Sequence, residues 1–119
     1  MSKGGYRDLL VWQKSVDLVV NINAITASFP SDERFGLTTQ MRRASVSVPA
    51  NIAEGRGRTM PGEYLNQLSI ARGSLNEVEA LVEVSRRLTF LDAATTDRIT
   101  TACDEISRML TGLKRSIRR

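Results

Sequence analysis

The 119-residue chain is 41% hydrophobic and 25% charged, enough for one modest core, too little for two, and unlike the balance of disordered or fibrous chains. A single cysteine, Cys103, and the lack of any histidine exclude an intrachain disulfide, a Cys/His zinc site and every histidine-based triad or general base. The net charge of +4 is concentrated: Arg108, Lys114, Arg115, Arg118 and Arg119 follow Glu105 with no acid among them, while the rest of the chain holds 12 basic residues against 13 acidic.

The opening segment Met1–Asp8 mixes acid and base, lacks the apolar centre of a secretory signal, and is expected to be a short flexible N-terminus over residues 1–7. Prolines and glycines then divide the chain into four stretches whose apolar residues recur at helical rather than alternating spacing. The first extends from about Asp8 to Ser28, with Val11, Leu18, Ile22, Ile25 and Phe29 on one stripe, Ser15 filling its gap, and Phe29-Pro30 stopping it. The second runs from about Leu37 to Arg56 along Leu37, Met41, Ala44, Val48 and Asn51, and Gly55 and Gly57 are expected to close it in left-handed conformations. Within it, Pro49 removes an amide donor and clashes with the carbonyl of Ser45 at a cost of about 3 kcal/mol. Because the stripe stays in phase from Val48 to Ile52, a kink is predicted there rather than a break.

The third stretch opens at Pro61, a favoured first-turn position, and its seam of Tyr64, Leu68, Ala71, Leu75, Val78, Val82 and Ser85 keeps a seven-residue period to an end near Leu88. Asp92 is placed to cap the fourth, whose seam is Ile99, Cys103, Ile106, Leu110, Leu113 and Ile117. Helices about 30 Å long joined by short connections pack antiparallel. The predicted fold is therefore all-α: a single antiparallel up-down four-helix bundle domain over residues 1–119, kinked in its second helix at Pro49. No apolar run approaches the roughly 20 residues of a membrane span, so a cytoplasmic protein with no membrane partner is expected.

A monomeric bundle needs one apolar seam per helix, yet three of these helices carry a second. Leu9, Trp12, Val16 and Val19 form it on the first, Val46, Ala50 and Ala53 on the second, and Ile70, Gly73, Ala80 and Val84 on the third. Gly73 costs about 1 kcal/mol relative to alanine in mid-helix, which makes sense where another backbone approaches. Self-association is predicted, with Trp12, Val16, Val46, Ala50, Ala53 and Gly73 at the subunit interface. The fourth helix has no second stripe and is expected on the outside of the assembly.

The run Leu9-Leu10-Val11-Trp12-Gln13-Lys14, then Phe29-Pro30, Gly36-Leu37 and Gln40-Met41-Arg42-Arg43-Ala44, resembles the small four-helix bundle proteins first noticed as open reading frames in intervening sequences of bacterial 23S ribosomal RNA genes. Ser47-Val48-Pro49-Ala50-Asn51-Ile52-Ala53-Glu54-Gly55 with Arg58, and Ile70-Ala71-Arg72-Gly73-Ser74-Leu75-Asn76-Glu77, carry the resemblance across nearly the whole chain. It implies a homopentameric ring with no enzymatic activity. A related branch, the accessory protein of diversity-generating retroelements, is a basic pentamer that binds reverse transcriptase and nucleic acid.

The motif residues Asn51, Glu54 and Gly55 are read as structural, with Asn51 setting helix register from the buried seam through a hydrogen bond. Glu77, Glu79 and Glu83 lack the histidines that a di-iron bundle requires, and neither cofactor nor metal is expected. Cations near a helix C-terminus oppose its dipole favourably, but Arg108, Lys114, Arg115, Arg118 and Arg119 exceed what capping calls for. In a ring of five they amount to about 25 positive charges, enough for strong, salt-sensitive phosphate binding, to which Arg42, Arg43, Arg56 and Arg58 either add or pair with local acids. The expectation is a non-enzymatic, homo-oligomeric protein binding RNA or DNA backbones through its basic C-terminal end. The alternative is a structural or adaptor ring whose partner is a protein, such as a reverse transcriptase.

Overall fold

Helical periodicity becomes four α-helices in the computed structural model, which describes residues 5–118. These are α1 (Leu10–Thr26), α2 (Leu37–Arg56), α3 (Pro61–Arg87) and α4 (Ala93–Arg118), with 3₁₀ turns at Tyr6–Asp8 and Ser31–Glu33. No strand occurs among the described residues. Arg119 and most of the N-terminal segment expected to be flexible, residues 1–4, lie outside them.

Cross-links fix the direction of every neighbouring pair. Arg42 near the start of α2 donates to Thr26 and Asn23 at the end of α1, and Ser85 late in α3 reaches Met41 early in α2. Arg72 and Ser69 in the first half of α3 meet Thr111 and Lys114 in the last turns of α4, while Lys14 in the first half of α1 lies 3.4 Å from Glu105 of α4. Each helix thus runs antiparallel to its neighbours in the cycle α1–α2–α3–α4, and the diagonal pairs make no close backbone contact among the described residues. The bundle measures 48 × 23 × 22 Å.

The core follows the predicted seams closely. On α3 the buried residues are Tyr64, Leu68, Ala71, Leu75, Val78, Val82 and Ser85, the same seven that the heptad spacing selects. On α1 the buried position between Ile22 and Phe29 is Thr26 rather than Ile25, because the Thr26 hydroxyl returns to the Ile22 carbonyl at 2.7 Å and enters the core with its polarity satisfied. On α2 the buried position is Ile52, and Asn51 is only half-buried, so its assignment to the buried seam is corrected by one residue. The Asn51 amide instead donates to the carbonyl and hydroxyl of Ser47, one turn back, and Ser47 meets Ser74 of α3 at 2.7 Å.

Gly55 requires a second correction. No described glycine has a positive φ, and Gly57 is right-handed at φ −81°, so neither closes α2 in the expected way. Gly55 lies inside α2, buried, where an added Cβ would stand 2.9 Å from both Gln67 Cβ and Tyr64 Cδ1. It permits α2 and α3 to approach; it does not stop the helix. α2 also continues without a break through the buried Pro49.

The one left-handed residue among those described is Thr89, at φ 66°, just past the end of α3. There the Phe90 amide reaches back to the Ser85 carbonyl and the Thr89 amide to that of Arg86, both at 2.9 Å, satisfying orphan carbonyls as a Schellman-type ending does. Phe90 then packs on Phe29 with ring centroids 5.4 Å apart. The predicted cap of α4 is present: the Thr95 amide donates to Asp92 Oδ1 at 2.8 Å, and hydrogen bonds from Thr95 hold that carboxyl below its ordinary pKa.

Candidate nucleic-acid interface at the basic pole

The up-down topology brings the C-termini of α2 and α4, the N-terminus of α3 and the segment before α1 to one pole, where Gly5, Arg56, Pro61 and Ile117 line a common cavity. The predicted C-terminal cations therefore gain neighbours distant in sequence. Lys114 is half-buried and donates to Ser69 of α3 at 2.9 Å. Its pKa is lowered, first by burial and then by the charges of Arg118 and Arg72. Arg72, which donates to Thr111, is thus part of the basic surface although the sequence pattern did not single it out. Finding it requires the antiparallel register of α3 on α4, since only that register places residue 72 beside residue 111.

Arg108, Arg115 and Arg118 are exposed, and together with Lys114 they make no ion pair among the described residues. Arg119 completes the predicted set from outside those residues. Arg56 and Arg58 join the same pole: Arg58 pairs with Glu54 at 2.8 Å, which also accepts a long contact from Gln67, and Arg56 is engaged as well. Glu54 thus works locally as a partner for Arg58. By contrast, Arg42 caps the far end of α1, and Arg43 borders a shallow hollow with Asn23 and Val46. Those two arginines are not brought to the basic pole.

The cavity at this pole has a volume of about 590 Å³. Arginine side chains and apolar ones, among them Met60, Leu113 and Ile117, share its wall. Tyr64 also lines it, and the Tyr64 hydroxyl is buried without a hydrogen-bond partner. Burial raises the pKa of that hydroxyl. The Arg56 guanidinium pulls the other way, although no hydrogen bond of good geometry joins the two.

The second apolar stripes are only partly covered in the single chain, where Leu9 and Trp12 also pack against the core. Trp12 and Val16 are half-buried, as is Ala53; Ala50 and Gly73 are exposed, and Val46 keeps 49% of its surface in solvent. Tyr6 stacks edge-on to Trp12 at 5.0 Å, so part of that indole is covered from within the chain. Cys103 is fully buried and its thiol is pushed up to about 12, chiefly by desolvation. Glu83 is bound by Arg86 and Arg87, whose hydrogen bonds bring its carboxyl down to about 2. No group of three metal-binding side chains converges among the described residues, and no helix among them is long and apolar enough to cross a membrane.

Residues 7–112 match the model of the 23S rRNA-intervening sequence protein family. The chain belongs to that family. A solved structure from Bacteroides thetaiotaomicron, a protein of unknown function from the S23 ribosomal protein family, matches with a TM-score of 0.82 at 25% identity. The match covers 89% of this chain and 96% of that one. No curated protein matches the chain. Neither the family description nor the structural neighbour names an enzymatic activity. In this 23S rRNA-intervening sequence protein, Arg56, Arg58, Arg72 and Arg108 lie within the matched segment, whereas Lys114, Arg115 and Arg118 lie beyond it.

Proposed function

We propose that this protein is a non-enzymatic, self-associating nucleic-acid-binding protein that holds RNA or DNA through phosphate contacts at its basic pole. One observation carries the reading: Arg108, Lys114, Arg115 and Arg118 stand on one helix without acidic partners among the described residues, and the half-buried Lys114 reaches Ser69 of α3 one turn from where Arg72 reaches Thr111. Cations crowded together and partly desolvated gain when an anion arrives. Contacts of this kind read backbone charge and not base sequence.

The test is a salt titration of binding to mixed-sequence RNA and DNA. Replacing Lys114, Arg115 and Arg118 together by glutamine removes three cations per chain, which lowers the salt slope by about 2–3. Equal affinity and equal slope in the triple variant would overturn the reading. Self-association, with five copies as the family resemblance implies, is supported by the partly uncovered stripes on α1, α2 and α3. Ala53→Glu is expected to give a folded species of lower mass by light scattering, and an unchanged mass would remove this face from the interface. Phe35, 84% exposed at the opposite pole under the Arg34 guanidinium, favours the adaptor reading with a protein partner, which an absence of salt-dependent RNA or DNA binding would support.

A further inference from the structure

The polar cavity has a composition that phosphate contacts alone do not use. Its lining carries Arg56, which is already engaged, and Arg58, which is paired with Glu54, while Met60, Leu113 and Ile117 supply apolar surface. Met60 is 61% exposed, a large apolar side chain left in water beside two guanidinium groups. Tyr64 is 8% exposed and contributes a hydroxyl that makes no hydrogen bond of good geometry and that a ligand donor or acceptor would satisfy. A volume of about 590 Å³ falls within the roughly 300–1,000 Å³ of small-ligand sites.

An apolar wall, a cationic rim and an unsatisfied hydroxyl together match a flat heteroaromatic group attached to a phosphate. We infer that the cavity accepts one nucleoside monophosphate unit, its base against Met60, Leu113 and Ile117 and its phosphate at Arg56 and Arg58. A stacked and paired base cannot enter a concave site, so on a polymer the unit must come from an unpaired stretch. This inference rests on the nucleic-acid reading above and sharpens it: the basic surface holds any backbone, and the cavity selects single strands over duplexes.

The experiment compares a labelled single strand with a hairpin duplex of the same composition by fluorescence anisotropy, with AMP and inorganic phosphate as competitors. Ser116→Trp fills the cavity from an exposed position without changing charge, and Tyr64→Phe removes the hydroxyl alone. The expected result is tighter binding of the single strand, competition by AMP exceeding that by phosphate, and a loss of about tenfold for the single strand in Ser116→Trp with duplex binding intact. Tyr64→Phe is expected to lose a smaller factor for the same ligand. AMP binding lost in Ser116→Trp, with no single-strand preference, assigns the cavity to a free nucleotide. Equal competition by phosphate and AMP, or a Ser116→Trp variant that binds AMP and single strand unchanged, overturns the inference while leaving backbone binding in place. Failure of both the single strand and the duplex to bind at low salt would overturn the underlying reading, and that outcome is separable from the others.

Discussion

Replacing Gly55 by alanine tests the close approach of α2 to α3. The new Cβ would fall 2.9 Å from Gln67 Cβ and 2.9 Å from Tyr64 Cδ1, about 0.6 Å or more inside the separation at which carbon atoms attract. Gln67 Cβ is fixed to the backbone of α3, so relief requires the two helices to part rather than a side chain to swing. Alanine gains up to about 1 kcal/mol in helix propensity, and forcing a methyl group into a filled contact costs about 1–3 kcal/mol. With the cost in its upper range, the net loss is about 1–2 kcal/mol, and the urea midpoint falls by about 0.5–1 M for an m-value near 2 kcal/mol/M. Protein concentration must be held constant, because self-association adds to apparent stability. Gly112→Ala is the control: it lies in α4 with nothing within 4 Å of the added Cβ, so it should raise the midpoint. A Gly55→Ala protein as stable as the parent would refute the argument and restore a terminator role to this glycine.

Gly73 is exposed in mid-α3, and an added Cβ meets nothing within 4 Å, so Gly73→Ala should stabilise the isolated chain by up to about 1 kcal/mol while weakening the assembly. A stabler chain with unchanged sedimentation would show that subunits do not meet there. Thr89 is β-branched and left-handed at φ 66°, so Thr89→Gly should stabilise the protein by about 1 kcal/mol; an unchanged or lower melting temperature would contradict this. Cys103 is buried with its thiol near 12, so at pH 8 a thiol reagent should label it only as fast as the bundle opens. Rapid labelling of the folded protein would mean that the α4 seam is accessible.

The fold was legible because the chain writes its core in apolar spacing. The third-helix heptad named every buried residue of α3, and the helix limits from Leu37 to Arg56 coincide with α2. The errors were local and have physical causes. Threonine and serine enter a helix core when they bond back one turn, as Thr26 does to Ile22; the stripes included Ser15 and Ser85 but passed over Thr26 in favour of its apolar neighbour Ile25. Asn51 and Ile52 are adjacent, so a drift of one residue exchanges seam and flank. A glycine near a helix end has two explanations, terminator or close contact, and only the packed neighbour α3 decides between them. For the candidate site, the C-terminal cations were visible as an uncompensated run. Their union with Arg56, Arg58 and Arg72 was not, because it depends on which helices are neighbours and in what register. The cavity and the unpartnered Tyr64 hydroxyl are likewise tertiary features, and the aromatic stripe position of Tyr64 announced only that its ring would pack.

With an even number of antiparallel helices, the chain enters and leaves its bundle side by side, and Gly5 and Ile117 border the same cavity. A fluorophore or surface tether attached at Gly5 or Ile117 is therefore held over the arginines, where it competes with any polyanion. The remote pole has turns at residues 31–36 and 88–92, and labels placed there leave the basic surface clear. The same nearness of Gly5 and Ile117 lets a short linker replace the segments beyond them, with new ends opened at the remote pole. Such a permutant would present the arginines on a continuous loop and free that surface of both ends.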